Sequence, residues 1–152
     1  MSADGSCVRV WSYLSGRRFT ALKTTSSVWR VRMSASHVAA MENTSVRVWD
    51  VDELKTGRAL RFTSPLADVC FAGGMLLAAQ QRGGYVRVFD PAMAGQAVVM
   101  EMHHTRAVNA LACTAAGHVL SAGGAVTLWD LQYGTEITQV CGMKGQGMGL
   151  KG

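Results

Sequence analysis

Apolar and polar residues alternate in short runs along most of the sequence, as half-buried β-strands require. Gly, Ser, Asn and Asp fill the breaks between the runs, which indicates turns. No segment has a sustained helical period, and the gaps leave no room for a parallel βαβ crossover. The pattern therefore predicts a meander of about fourteen short antiparallel strands.

A four-residue pattern occurs four times: an apolar residue, a polar one, another apolar one and then an aromatic. The aromatic anchors, Trp11, Trp49, Phe89 and Trp129, are 38, 40 and 40 residues apart. An apolar triplet starts 17 to 19 residues after each of the first three anchors and is expected in the core: Val28, Val31 and Met33; Leu66, Val69 and Phe71; Val108, Leu111 and Cys113. A fixed spacing of this kind indicates a repeat architecture.

Units of about 40 residues with four strands, the third ending in Trp-Asp, resemble the blades of WD-repeat β-propellers. The resemblance covers roughly residues 2 to 142. It implies an all-β fold in which residues 1–141 form antiparallel four-stranded blades: a partial blade at 2–26 and full blades at 27–63, 64–103 and 104–141. Residues 142–152 are Gly-rich and are expected to form a flexible tail.

The resemblance also implies a hydrogen-bonded set of His, Asp, Ser or Thr, and Trp within each blade. No blade here has the complete set: the last one lacks the Asp, since Gly123 and Gly124 fill that turn, and the second has Asn43 at the Asp position but no histidine. We therefore expect a degenerate array. Its structural anchors are Trp11, Trp49, Phe89, Trp129, Asp50, Asp90, Asp130, His104 and Ser121.

The repeats amount to about three and a half blades, whereas propellers close with roughly four to eight. An incomplete or unclosed propeller is therefore predicted, and an open array leaves strand edges exposed. We expect the chain to be part of a larger propeller. The alternative is that two copies, or a partner chain, complete the ring.

The composition is that of a folded protein, with 49% hydrophobic and 16% charged residues. The net charge is +5, and the basic residues are spread along the sequence without forming a block. No secretory signal and no apolar run long enough to span a membrane is found, so an intracellular location is expected. The four cysteines lie far apart without CxxC spacing, which predicts buried free thiols rather than a zinc site.

No catalytic, cofactor-binding or metal-binding motif stands out. The sequence has no GxSxG elbow, phosphate-binding loop or HExxH, and Asp68 and Glu101 have no identifiable partner. An enzyme is the weakest hypothesis. Arg9, Arg47 and Arg87, two residues before their anchors, are expected to cover strand surface. The candidate partner-binding residues are Arg17, Arg18, Trp29, Arg30, Arg32, Arg58, Arg61, Tyr85 and Arg106.

The resemblance implies a protein-interaction scaffold that docks partners in a multiprotein complex. Two alternatives remain. A basic propeller in a ribonucleoprotein or ribosome-associated assembly would bind RNA through these arginines with a salt-sensitive affinity. A substrate-recognition propeller of an F-box type ubiquitin ligase would carry its adaptor-binding motif upstream of Met1, so the chain neither supports nor excludes it.

Overall fold

The structure, a computed structural model, describes residues 7–141 apart from 94, 105 and 115. In this range it contains fourteen strands and no helix, as the alternation predicts. The strands are β1 Cys7–Trp11, β2 Arg18–Lys23, β3 Arg30–Met33, β4 His37–Met41, β5 Ser45–Asp50, β6 Arg58–Arg61, β7 Leu66–Ala72, β8 Met75–Gln80, β9 Tyr85–Phe89, β10 Val98–His103, β11 Ala110–Cys113, β12 His118–Ala122, β13 Ala125–Asp130 and β14 Thr135–Cys141. The predicted tail, 142–152, lies outside the described residues.

The strands form four antiparallel sheets in which neighbours in sequence are neighbours in space. The first sheet has two strands, β1 and β2, and the other three sheets have four each, in the orders β3–β6, β7–β10 and β11–β14. Each sheet is a simple meander that lies within one of the four segments expected from the repeats. The all-β fold with four-stranded antiparallel blades in an unclosed array is thus confirmed.

Apolar cores lie between successive sheets, and all three are built in the same way. Each joins the aromatic anchor of one sheet to valines on the third strand of the preceding sheet. The groups are Trp49 with Val8 and Val10, Phe89 with Val46 and Val48, and Trp129 with Val86 and Val88. Burying such side chains contributes about 1.5–3 kcal/mol each, so these contacts hold the sheets together.

The first sheet departs from this scheme. Trp11 is 59% exposed, although the spacing marks it as an anchor, because no preceding sheet covers it within the described residues. Val31 and Met33, expected in the core, are 42% and 62% exposed. The physical reason is the same: the first sheet has only its two outer strands in the described range, so no inner strand packs on this side of β3.

The three aspartates that directly follow Trp49, Phe89 and Trp129 close the turns between third and fourth strands. Oδ1 of Asp50, Asp90 and Asp130 each accepts a hydrogen bond of 2.8 Å from the backbone N–H two residues later. Such Asx turns fix the backbone locally and redirect the chain into the next strand. The aspartates therefore belong to the turns rather than to the inter-sheet cores.

The innermost strands of the four-stranded sheets, β3, β7 and β11, lie side by side. This arrangement brings Cys70 and Cys113 within 6.6 Å between Cα atoms, and they form a disulfide. Disulfides span Cα distances of this size. The prediction of free thiols is wrong for this pair, because residues one repeat apart meet at the centre of the array. Cys7 is a free, half-buried thiol.

Candidate interaction surface

The loops of the array fall on two opposite faces because consecutive strands run antiparallel. The upper face holds the connections between sheets and the turns between second and third strands: 24–29, 42–44, 62–65, 81–84, 104–109 and 123–124. The lower face holds the first-to-second and third-to-fourth strand turns.

The upper face is strongly basic. Lys23, Arg61, Arg82 and Arg106 are exposed there, and none of them forms an ion pair with another described residue. The carboxylates near this face already lie against basic side chains: Glu42 against Arg47, Glu101 against Arg87, and Asp68 against Arg30 and Arg32. The four exposed cations are therefore not neutralised locally, and they create a positive potential at the loop ends.

The lower face has the opposite balance. Its turns and strand ends carry six carboxylates and four basic side chains: Asp50, Asp52, Glu53, Asp90, Asp130 and Glu136, with Arg17, Arg18, Lys55 and Arg58. Charges that look scattered along the sequence are thus sorted in space by the meander. The two faces differ in sign, so an anionic partner is attracted to the upper one.

A cleft of about 350 Å³ opens between the second and third sheets on the upper side. Trp29 and Arg30 form one wall, and Asn43, Pro65 and Gln81 lie across from them. Trp29 is 72% exposed, and its backbone N–H donates to the carbonyl of Met41 at 2.8 Å, which fixes the residue at the start of β3. A large exposed aromatic side chain in a cleft is typical of interaction surfaces.

The predicted partner-binding residues do not all lie on one face of the array. Trp29, Arg61 and Arg106 share the upper face, and Arg17 and Arg18 are exposed at the lower face. Tyr85 is half-buried, with its ring edge-to-face on His103 at 4.7 Å between centroids. Lys23 and Arg82, which no sequence pattern singled out, stand alone in the sequence and join the patch only through the fold.

Arg58 is engaged within the protein and is not a free contact residue. Its guanidinium donates to the backbone carbonyls of Pro91 and Met93, so it ties the second sheet to the lower turn of the third. Arg30 and Arg32 are also engaged, since both lie 3.4 Å from Oδ1 of Asp68. We conclude that these three arginines join sheets.

Asp68 and Glu101 were expected to lack partners, and that prediction is wrong for both. Asp68 is buried on β7 and binds Arg30 and Arg32 of the second sheet. Glu101 lies 2.5 Å from Nε of Arg87 and 3.8 Å from Nε2 of His103. The partners come from other strands or other repeats, so proximity in sequence gives no sign of them.

A polar contact connects the loop before each of the four-stranded sheets to the end of its second strand, to the turn that follows, or to its third strand. In the second sheet Glu42, not Asn43, fills this role: its carboxylate accepts from the backbone N–H of Thr25 at 2.9 Å and from the Ser45 hydroxyl at 2.5 Å. In the third, Gln80 donates to the Ser64 hydroxyl at 2.9 Å.

Burial raises the pKa of the Glu42 carboxyl, but the hydrogen bonds from Ser45 and Thr25 outweigh it, and the net pKa is lowered. Glu42 is 2% exposed, so its charge depends on these donors. Asn43, placed at this role by the repeat alignment, is exposed instead.

The fourth sheet splits the expected hydrogen-bonded set into two separate contacts. Nε1 of Trp129 donates to the Ser121 hydroxyl at 2.7 Å, and Nε2 of His104 lies 3.1 Å from the Thr127 hydroxyl. Nδ1 of His104 is buried without a hydrogen-bond partner. The missing partner matches the glycine at position 123, where the sequence pattern lacks an aspartate.

Within the described ranges, no helix has the length and hydropathy that a transmembrane segment needs. The same residues contain no group of three or more His, Cys, Asp or Glu side chains arranged to hold a metal ion.

Comparison with known proteins supports the fold and leaves the family open. No protein-family model and no curated protein sequence matches the chain. Among solved structures, that of U3-55K is similar with a TM-score of 0.74 and 18% identity, over 93% of this chain and 47% of that one. A chain in the crystal structure of the mitotic checkpoint complex is similar with a TM-score of 0.73 and 14% identity, over 90% of this chain and 45% of that one.

Both similar structures are WD40 β-propellers, so the chain has a β-propeller fold. It spans less than half the length of either one. At these identities the likeness concerns the fold alone, and what those proteins assemble with is not carried over to this chain.

Proposed function

We propose that the chain is a non-enzymatic protein-interaction scaffold, part of a larger intracellular propeller, whose upper face binds an acidic segment of a partner protein. The observation that carries this proposal is the sorting of charge: four unpaired cations lie on the upper face, which also exposes Trp29, while the lower face carries more carboxylates than cations. Cations attract acidic side chains and speed association, and an exposed indole adds contact area that salt does not screen.

The test is binding of a fluorescently labelled peptide rich in Glu and Leu, measured by fluorescence anisotropy. We expect Arg82→Glu with Arg106→Glu to weaken binding by more than about tenfold, since each reverses a charge at the surface. Arg17→Glu with Arg18→Glu is the matched control, because it makes the same change on the lower face and leaves binding unchanged. Equal loss in both double variants would remove the upper face from the proposal.

RNA binding is the second candidate, because the same unpaired cations share the upper face with an exposed aromatic side chain on which a base can stack. The two candidates differ in their response to salt. A complex held by phosphate contacts loses orders of magnitude in affinity between low and physiological salt, whereas one anchored by Trp29 in the cleft retains an apolar part. A single-stranded RNA oligonucleotide measured beside the peptide, with nuclease-treated pull-downs, separates them.

A further inference from the structure

The two ends of the array expose apolar faces that differ in character. One end is the outer face of the fourth sheet, on β11 to β14. Leu111, Val119 and Trp129 pack toward the third sheet, so the alternate residues of these strands point away from it. Most of them are uncharged, namely Ala110, Ala112, Leu120, Ala122, Val126, Leu128, Thr138 and Val140, and the two titratable ones, His118 and Asp130, lie at the lower ends of β12 and β13. We call this set the aliphatic end.

The aliphatic end repeats a surface that is buried elsewhere in the chain. Val126 and Leu128 occupy the positions of Val46 and Val48 in the second sheet and of Val86 and Val88 in the third. Those four valines are 0–3% exposed because the next sheet covers them, whereas Val126 is 42% exposed. This face therefore has the same residue pattern as the faces that a following sheet covers.

The other end of the array presents Trp11, Val31 and Met33, which we call the aromatic end. Arg9 and Lys23 lie on the same side of the first sheet as Trp11. Val10 packs toward the second sheet, so Trp11 points away from it. Arg30 and Arg32 reach Asp68 in the third sheet, so Val31 and Met33 point the opposite way. Trp11 is 59% exposed, whereas the other three anchors are at most 5% exposed.

The two ends are complementary in the same way as the surfaces that meet between successive sheets of this chain. Each of its three inter-sheet cores joins an aromatic anchor to third-strand valines of the preceding sheet. The aliphatic end supplies the valine side without an anchor, and the aromatic end supplies the exposed anchor. Ala110 and Ala112 are small, which leaves room for the larger Val31 and Met33 opposite them.

We infer that the aliphatic end of one copy binds the aromatic end of a second copy, so that two copies close a propeller-like ring. This inference rests on the propeller scaffold proposed above, and it makes a second copy of the chain the part that completes the larger propeller. Heterologous contacts of this kind form closed rings when the rotation between copies allows it. Because one copy covers 47% and 45% of two known propeller chains, two copies supply about as many residues as one such propeller.

The oligomeric state of the full chain tests the inference, by light scattering after size exclusion and by sedimentation over a wide concentration range. We expect twice the 16.2 kDa of one chain. Val126→Asp and Trp11→Glu should each weaken the dimer by more than about tenfold, because each buries an unpaired charge at the contact. Tyr133→Asp, an equally exposed site on the lower face, should leave the dimer intact; far-ultraviolet circular dichroism shows that each variant is folded.

Cross-linking tests the geometry directly. In a background with both Cys7→Ser and Cys141→Ser, a chain with Trp11→Cys mixed with a chain with Val126→Cys should form a mixed disulfide under mild oxidation, in preference to like-with-like pairs. A monomer at all concentrations, a dimer insensitive to Val126→Asp, longer open assemblies, or like-with-like cross-links alone would each overturn the inference. Peptide binding by the Val126→Asp monomer, measured in parallel, reports on the upper face separately, so the two proposals fail independently.

Discussion

The backbone N–H of Leu111 donates to Oδ2 of Asp68 at 3.0 Å, across 43 positions of sequence and from one sheet to the next. Oδ1 of the same carboxylate accepts from the backbone N–H of Val69 at 2.8 Å and faces Arg30 and Arg32 of the preceding sheet. One buried side chain therefore links three successive sheets near their innermost strands. The row of sheets is held by polar contacts as well as by its apolar cores.

Removing this carboxylate is expected to destabilise the whole array. Asp68→Ala leaves the buried Leu111 N–H without an acceptor and the two guanidinium groups without their counter-charge, at a cost of about 3 kcal/mol. Asp68→Asn keeps an acceptor for the amide and should cost roughly half as much. Urea unfolding measures both, with the exposed Asp52→Ala as control. If Asp68→Ala and Asp52→Ala unfold at the same urea concentration, Asp68 does not link the sheets.

Glu42 makes stability depend on pH in the acid range. Its pKa in the folded protein is lowered below the ordinary 4.5, so the ionised form stabilises the fold at pH values above 4.5. That contribution is lost as pH falls through the lowered pKa, because the protonated carboxyl no longer accepts from Thr25 and Ser45 as strongly. We expect Glu42→Gln to cost about 1–3 kcal/mol at neutral pH and to flatten this part of the stability profile.

The measurement is the free energy of unfolding of both proteins between pH 3 and 7. Glu53→Gln, an exposed site in a lower-face turn, provides the control and should keep the wild-type profile. A Glu42→Gln profile parallel to that of the wild type would show that the carboxylate is not the group that titrates.

The strands and anchors were predictable because they follow from local sequence. Alternation and the spacing of Trp49, Phe89 and Trp129 are properties of single repeats, and the structure buries all three of these anchors. Trp11 has the same spacing but is exposed, since burial depends on a neighbouring sheet and not on the repeat itself.

What the sequence did not reveal are contacts made between repeats. The partners of Asp68 come from three separate sheets, and Arg58 reaches carbonyls 33 and 35 positions away. The basic upper face arises in the same way, because an antiparallel meander places residues such as Lys23, Arg61 and Arg106 at the same edge. At Glu42 the error was one position, since the family pattern marks Asn43 while burial and hydrogen bonding fall on its neighbour.

The disulfide between Cys70 and Cys113 is expected to make stability depend on reductant. It closes a segment of 43 residues, and cross-links of this kind stabilise by about 2–4 kcal/mol, chiefly by restricting the unfolded chain. A thiol reductant should lower the melting temperature of the wild type and leave unchanged that of a variant with both cysteines replaced by serine. Cys7→Ser is the control and should respond as the wild type does. Mass spectrometry after alkylation, in which Cys70 and Cys113 should stay unlabelled in the unreduced protein, checks the pairing.

Restoring the family's aspartate at Gly123 is expected to destabilise the fourth sheet rather than repair it. An aspartate there would seem to offer a partner to the unpaired Nδ1 of His104. However, a Cβ at position 123 would lie 2.3 Å from the backbone oxygen of Ala107, which is far inside van der Waals contact. The loop before β11 would have to move, at a cost of about 1–3 kcal/mol. Gly123→Ala has the same clash without the charge and should lose a similar amount in thermal unfolding. If Gly123→Asp is more stable than the wild type while Gly123→Ala is less stable, the hydrogen bond outweighs the clash and the loop is more adaptable than its contacts indicate.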